Sequence, residues 1–161
     1  MVRKTFVSFK KKLIPVVLLL AAVGTQGEEI GAVNTSWKVL GPDNKVVVEA
    51  IDDPLVHGVT CYISRAKTGG LSGAVGIAED KTEVSIACVK TGEVSVKAPL
   101  PRQEDIAKLS ASFLIKKIHV VRMVDRARGV VTYLTYSDKL IDGSPKNSLS
   151  AVVLGPLVTV K

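Results

Sequence analysis

The residues whose types could do chemistry fall into a few short stretches. Ser64-Arg65-Ala66-Lys67 matches S-x-x-K, Lys67-Thr68-Gly69 and Lys90-Thr91-Gly92 match K-T-G, and Ser137-Asp138-Lys139 approaches S-D-N. In serine acyl-transfer enzymes such elements supply a nucleophile and its activating lysine. The arrangement here opposes that chemistry. The first two motifs share Lys67, and the second K-T-G precedes the S-D-K. Ser64 closes a strand-like run, although the nucleophile belongs at the start of a helix, and 161 residues are too few for the two-part fold. Asp52, Asp53 and His57 could begin a metal or acid–base site, but Asp-Asp-Pro is an ordinary strand stop. His119 lies in an apolar run and reads as a packed or edge residue. No nucleophile stands with a base and an orienting partner. A small hydrolase or transferase around Ser64, Lys67 and Asp52 is therefore the alternative, not the leading reading, and no metal or cofactor is expected.

A binding role has more support. Residues 69–76 are glycine-rich and flanked by Arg65 and Lys67. Backbone N–H groups of such a loop, here at Gly69 and Gly70, can cradle an anion. The pattern is neither G-x-G-x-x-G nor a Walker loop, and a bent connection needs glycine equally. A second polar stretch holds Lys139, Ser144 and Lys146, which suits recognition of an acidic group or a well-capped turn. Arg65, Lys67, Gly69, Gly70, Lys139, Ser144 and Lys146 are the candidate residues for a small anionic ligand or a protein partner.

Charge and targeting narrow the setting. Arg3, Lys4, Lys10, Lys11 and Lys12 precede an apolar run of 11 residues, Leu13 to Val23, then Gly24-Thr25-Gln26-Gly27. That is the order of a cleavable secretory signal peptide over residues 1–27, with the cut expected after Gly27. A membrane-spanning helix needs about 20 apolar residues, so no span is expected in residues 28–161, which read as one domain. Without the signal, 17 basic residues face 15 acidic ones. The formal charge of +7 is thus largely a property of the export segment and is no nucleic-acid footprint. The remaining charge is uneven: residues 28–88 carry a net −4 and residues 89–161 a net +6. Two cysteines in an exported chain, Cys61 and Cys88, are expected to pair. A redox pair would want C-x-x-C spacing and a metal more ligands.

The elements that must position these residues read as strands. Residues 37–40, 45–51, 59–64, 82–89, 113–124, 130–136 and 148–154 are rich in β-branched residues and bounded by turn residues. Residues 125–129 read as a hairpin turn, with Gly129 able to take positive φ. Residues 101–109, with early acids and a late Lys108, suggest one short helix. Residues 73–78 suggest another turn of helix against the bias of their glycines. The expected fold is a mainly β, single antiparallel domain, a sandwich or partly closed barrel with one or two short helices.

Several stretches carry a resemblance. They are E-E-I-G-A-V at 28–33, K-V-V-V-E-A-I-D-D-P at 45–54, V-T-C-Y-I-S-R-A-K-T-G-G-L-S-G at 59–73, G-I-A-E-D at 76–80 and Y-L-T-Y-S-D-K-L-I-D-G-S-P-K-N-S-L-S-A-V at 133–152. They resemble the CreA family over nearly all of residues 28–161, less clearly over 90–114. The resemblance implies a small exported protein of Gram-negative bacteria, located in the periplasm. It carries over the export signal and the positions Cys61 and Cys88, and it implies no reaction. The expectation is a periplasmic, non-enzymatic binding or interaction module.

Overall fold

The computed structural model describes residues 27–36, 44–67, 83–110, 117–138 and 145–155. They form eight strands: β1 (Glu28–Ser36), β2 (Asn44–Asp52), β3 (Val56–Lys67), β4 (Val84–Val96), β5 (Gln103–Ser110), β6 (Lys117–Asp125), β7 (Val130–Ser137) and β8 (Asn147–Val153). Two antiparallel four-stranded sheets result, ordered β1-β2-β3-β4 and β5-β6-β7-β8. The predicted β class and antiparallel pairing hold, and neither sheet closes into a barrel.

Alternation makes the sheets two-faced. In β7, Val131, Tyr133, Thr135 and Ser137 are buried while the residues between them are half-buried. In β2, Val47, Glu49 and Ile51 point inward. Successive side chains of a strand point to opposite faces, so these sets line one interior. Ile51, Ile63 and Ile86 of the first sheet join Ile118, Val120 and Tyr133 of the second in a single core. Burying each such apolar side chain contributes about 1.5–3 kcal/mol. The sheets also meet laterally, where the Cys88 amide donates to Ser150 Oγ at 2.9 Å.

One expectation fails. Residues 103–110 are strand β5, paired with β6, and not a helix. A register shift between Asp105 and Ala107 lets Ile106 and Ala107 both be buried, with Leu109 following. A bulge of this kind breaks the period of two, and Ile106 with Leu109 then imitates helical spacing. Strand β1 is not expected from the sequence, because all nine of its residues are exposed and no buried face imposes an alternation. The run at 37–40 and the turn of helix at 73–78 lie outside the described residues.

The hairpin of β6 and β7 forms as expected, with Gly129 at φ 62°. At the opposite end of the sandwich, β3 ends and β4 begins beside the end of β5 and the start of β8. Arg65 Nη1 donates to the Ser110 carbonyl at 2.6 Å, and Lys146 Nζ bonds Glu83 Oε1 at 3.0 Å. The strand ends leading into 68–82, 111–116 and 139–144 are thereby gathered on one side of the molecule.

Candidate functional site

At that end an open depression of about 560 Å3 is lined by Val46, Ser64, Arg65, Ser85, Lys146 and Asn147, with Glu83 at its rim. The pleat explains the floor. Val46, Ser64 and Ser85 stand on the face of the first sheet turned away from the core, and Ser64 is register partner of Ser85. Lys146 and Asn147 come from the start of β8.

The candidate cations are held within the molecule. Arg65 is buried, and its Nε and Nη2 bond the two oxygens of Glu49 at 2.6 and 2.9 Å. Lys67 Nζ lies 3.1 Å from Glu49 and 3.2 Å from Glu29, which also binds Lys45 at 3.1 Å. Burial pushes the Glu49 carboxyl up, but the hydrogen bonds of Arg65 and Lys67 outweigh it and the net displacement is downward. Lys146 differs: both it and its partner Glu83 face solvent, where a pair is worth about 0–1 kcal/mol. Gly69, Gly70, Lys139 and Ser144 lie outside the described residues.

The groups weighed for catalysis are dispersed. His57 and Lys67 sit at opposite ends of β3. Ser64 lines the outer depression, while Lys67 reaches the glutamates on the inner face. Asp52 accepts from Thr60 Oγ1 at 2.6 Å, and that hydroxyl lies 2.9 Å from Thr91 Oγ1, so K-T-G at 90–92 contributes a strand contact. Asp53 is buried against Arg122. Among the described residues no three His, Cys, Asp or Glu side chains are grouped to hold a metal ion. Nor is any described helix long and apolar enough to cross a membrane.

Cys61 and Cys88 are bonded, with Sγ–Sγ 2.09 Å and Cα–Cα 4.0 Å. They are direct register partners on β3 and β4, so the bridge pins adjacent strands within one sheet.

Sequence reasoning missed two polar arrangements. The first is buried: Arg122 bonds Asp53 and Glu104, and Tyr133 OH donates to Asp53 Oδ2 at 2.8 Å. Arg122 Nε and His57 Nε2 are buried with no hydrogen-bond partner among the described residues. The signal was present in Arg122 itself, a cation that shares the inward face of its strand with Ile118, Val120 and Val124. The second surrounds His119. Its ring stacks on Tyr136 with centroids 4.8 Å apart and planes 6° from parallel. Its Nδ1 lies 3.1 Å from Asp105 Oδ2 and its Nε2 lies 3.0 Å from Asp138 Oδ1.

A two-sheet antiparallel fold with an open depression at one end, and no catalytic set assembled among the described residues, defines the class. The family model described as "CreA protein" matches residues 30–157. The chain is 43% identical to Protein CreA of Escherichia coli (strain K12) over 152 residues, covering 92% of this chain and 97% of that protein. Protein CreA of Escherichia coli O157:H7 matches to the same extent. The chain belongs to the CreA family. No solved structure matches it.

Proposed function

We propose that this chain is an exported periplasmic protein that works by binding and not by catalysis, and that a protein partner engages the end of the sandwich where β3, β4, β5 and β8 converge. The observation that carries this reading is the open depression of about 560 Å3 at that end, bordered by Ser64, Ser85, Lys146 and Asn147. Its hydroxyls, amide and single exposed ion pair suit polar contacts across a partner's surface. The export-like N-terminus supports the compartment, and a buried disulfide is compatible with an oxidising space. A small anionic ligand is the second reading, favoured by Lys146, whose exposed pairing with Glu83 leaves it exchangeable.

Site-directed photocrosslinking in cells tests the reading. A crosslinker at Ala66 or Lys146 is expected to capture a defined protein, whereas one at Arg128, on the far hairpin, is not. For the second reading, inorganic phosphate is expected to raise the melting temperature of the purified protein, and Lys146→Ala to abolish that rise. Equal capture from both ends, with no thermal shift, would overturn both. N-terminal sequencing of the periplasmic fraction is expected to begin at Glu28.

A further inference from the structure

The two ring nitrogens of His119 face two different carboxylates, Asp105 on β5 and Asp138 immediately after β7. A carboxylate only accepts hydrogen bonds, and a neutral imidazole has only one N–H. Both contacts are therefore hydrogen bonds only when His119 carries a proton on each nitrogen. We infer that His119 is the charged pin of a pH-sensitive latch that ties edge strand β5 and the exit of β7 to β6.

The surroundings fit that role. The groups facing the ring are Asp105 and Lys108 from β5, Tyr136 from β7 and Asp138 beyond it, with Lys108 Nζ 3.3 Å from Asp105. His119 is register partner of both Lys108 and Tyr136, so the latch spans three adjacent strands. The stacked Tyr136 ring covers one face of the imidazole and fixes its plane, which aims both nitrogens. Asp138 is also held by its amide, which donates to the Lys117 carbonyl at 2.9 Å. Asp138 leads into residues 139–144, which carry Lys139 and Ser144.

Loss of one ring proton turns one of the two contacts into a lone pair facing a carboxylate. Either β5 or the Asp138 corner is then released. Rising pH opens the latch through the histidine. Falling pH opens it through Asp105, where burial raises the carboxyl but His119 and Lys108 lower it further. The latch is closed between those two limits. This inference stands whether or not a partner binds the depression, because its readouts need no ligand.

The test is nitrogen-15 NMR of the mature, disulfide-bonded protein. With the latch closed, both ring nitrogens of His119 are expected at protonated shifts; the signal is assigned by its loss in His119→Gln. As pH rises through the histidine titration, exchange of the Asp138 and β5 amides, corrected for intrinsic base catalysis, is expected to rise about tenfold, as for loss of a charge-assisted hydrogen bond. In His119→Gln that pH step is expected to vanish. Asp138→Asn, a milder change, is expected to keep the fold and confine the pH step to β5. A neutral single tautomer at every pH where the protein is folded would overturn the latch. So would unchanged exchange across the titration, or a pH step that persists in His119→Gln.

Discussion

The guanidinium of Arg122 and the carboxylate of Asp53 form an ion pair from which solvent is fully excluded, and the pair joins the two sheets. Arg122 lies on β6, and Asp53 follows β2 at the turn into β3. The Asp53 carboxylate also accepts from the amides of Leu55 and Val56 at 2.8 and 3.0 Å, and from Tyr133 OH at 2.8 Å. The turn is thus built on its own buried charge, and Arg122 neutralises that charge from across the core.

Breaking this pair from one side leaves an uncompensated charge in the interior, which costs about 3–5 kcal/mol. Arg122→Met is expected to lower unfolding stability by that amount in urea titrations. Glu104→Gln is expected to lower it far less, because Glu104 is 40% exposed. Equal losses would show that Asp53 is not the partner that matters.

Tyr133 reports the same node in alkali. Burial, and then the negative charge of Asp53, push its phenol far above the ordinary value of 10.0. The folded state therefore keeps a proton that the unfolded state releases, and stability falls as pH rises beyond about 10. Tyr133→Phe removes a charge-assisted bond and is expected to cost about 1.5–3 kcal/mol at pH 7. It is also expected to flatten the decline above pH 10, as read by circular dichroism in urea. A decline as steep as that of the unaltered protein would place the alkaline sensitivity elsewhere.

The disulfide is a stability element. Cross-linking residues 27 apart in sequence removes unfolded-state entropy worth about 3–4 kcal/mol in the chain-entropy account. The double variant Cys61→Ser, Cys88→Ser is expected to lose that much, with the urea midpoint shifted accordingly. Mass spectrometry without reductant is expected to show no free thiol. A loss below about 1 kcal/mol would mean that the adjacent strands hold this register unaided.

Much of this architecture was legible because its signals are local. The β-branched runs that became β2, β3, β6 and β7, the Gly129 hairpin and the Cys61–Cys88 pairing each follow from residue type and spacing. What escaped depends on partners distant in sequence. Nothing near Asp53 announces Arg122, 69 residues away, and nothing near Arg65 announces Glu49 or the Ser110 carbonyl. β5 read as helix because its early acids and late Lys108 match the charge order of a helix and a bulge breaks its period of two, and β1 was hidden because neither of its faces is buried. At the candidate site the sequence offered Arg65, Lys67 and Lys146 as equivalent cations. Burial separates them: Arg65 is buried against Glu49, Lys67 is shared between Glu49 and Glu29, and Lys146 stands in a pair that faces solvent on both sides.

Two glycines are required by close backbone approach. Gly58 has φ 74°, and a Cβ there would lie 2.4 Å from the Glu93 carbonyl oxygen; Gly129 has φ 62°, and its Cβ would lie 2.3 Å from that of Gly155. Positive φ and a backbone clash each strain an L residue, by about 1–3 kcal/mol. Gly58→Ala and Gly129→Ala are expected to lose at least about 2 kcal/mol in denaturant titrations. Gly31→Ala serves as the control. It meets nothing within 4 Å and is expected to stay within about 0.5 kcal/mol of the unaltered protein.

Glu49 makes the fold sensitive to acid. Burial alone would raise its carboxyl, yet the bonds from Arg65 and Lys67 carry it below the ordinary 4.5. A depressed folded pKa means that the folded state holds fewer protons than the unfolded chain. The stabilisation is thus complete above the unfolded value and is lost as pH falls through the folded one. Glu49→Gln keeps the shape and removes the charge, leaving the buried Arg65 with a weaker acceptor. It is expected to cost about 1.5–3 kcal/mol at pH 7. Below about pH 4.5 the unaltered protein begins to lose the same interaction by protonation, so the two stability curves should draw together as pH falls further. Urea midpoints measured from pH 7 to pH 3 decide the point. Curves that stay parallel over the whole range would mean that the cost of Glu49→Gln comes from packing and not from its charge.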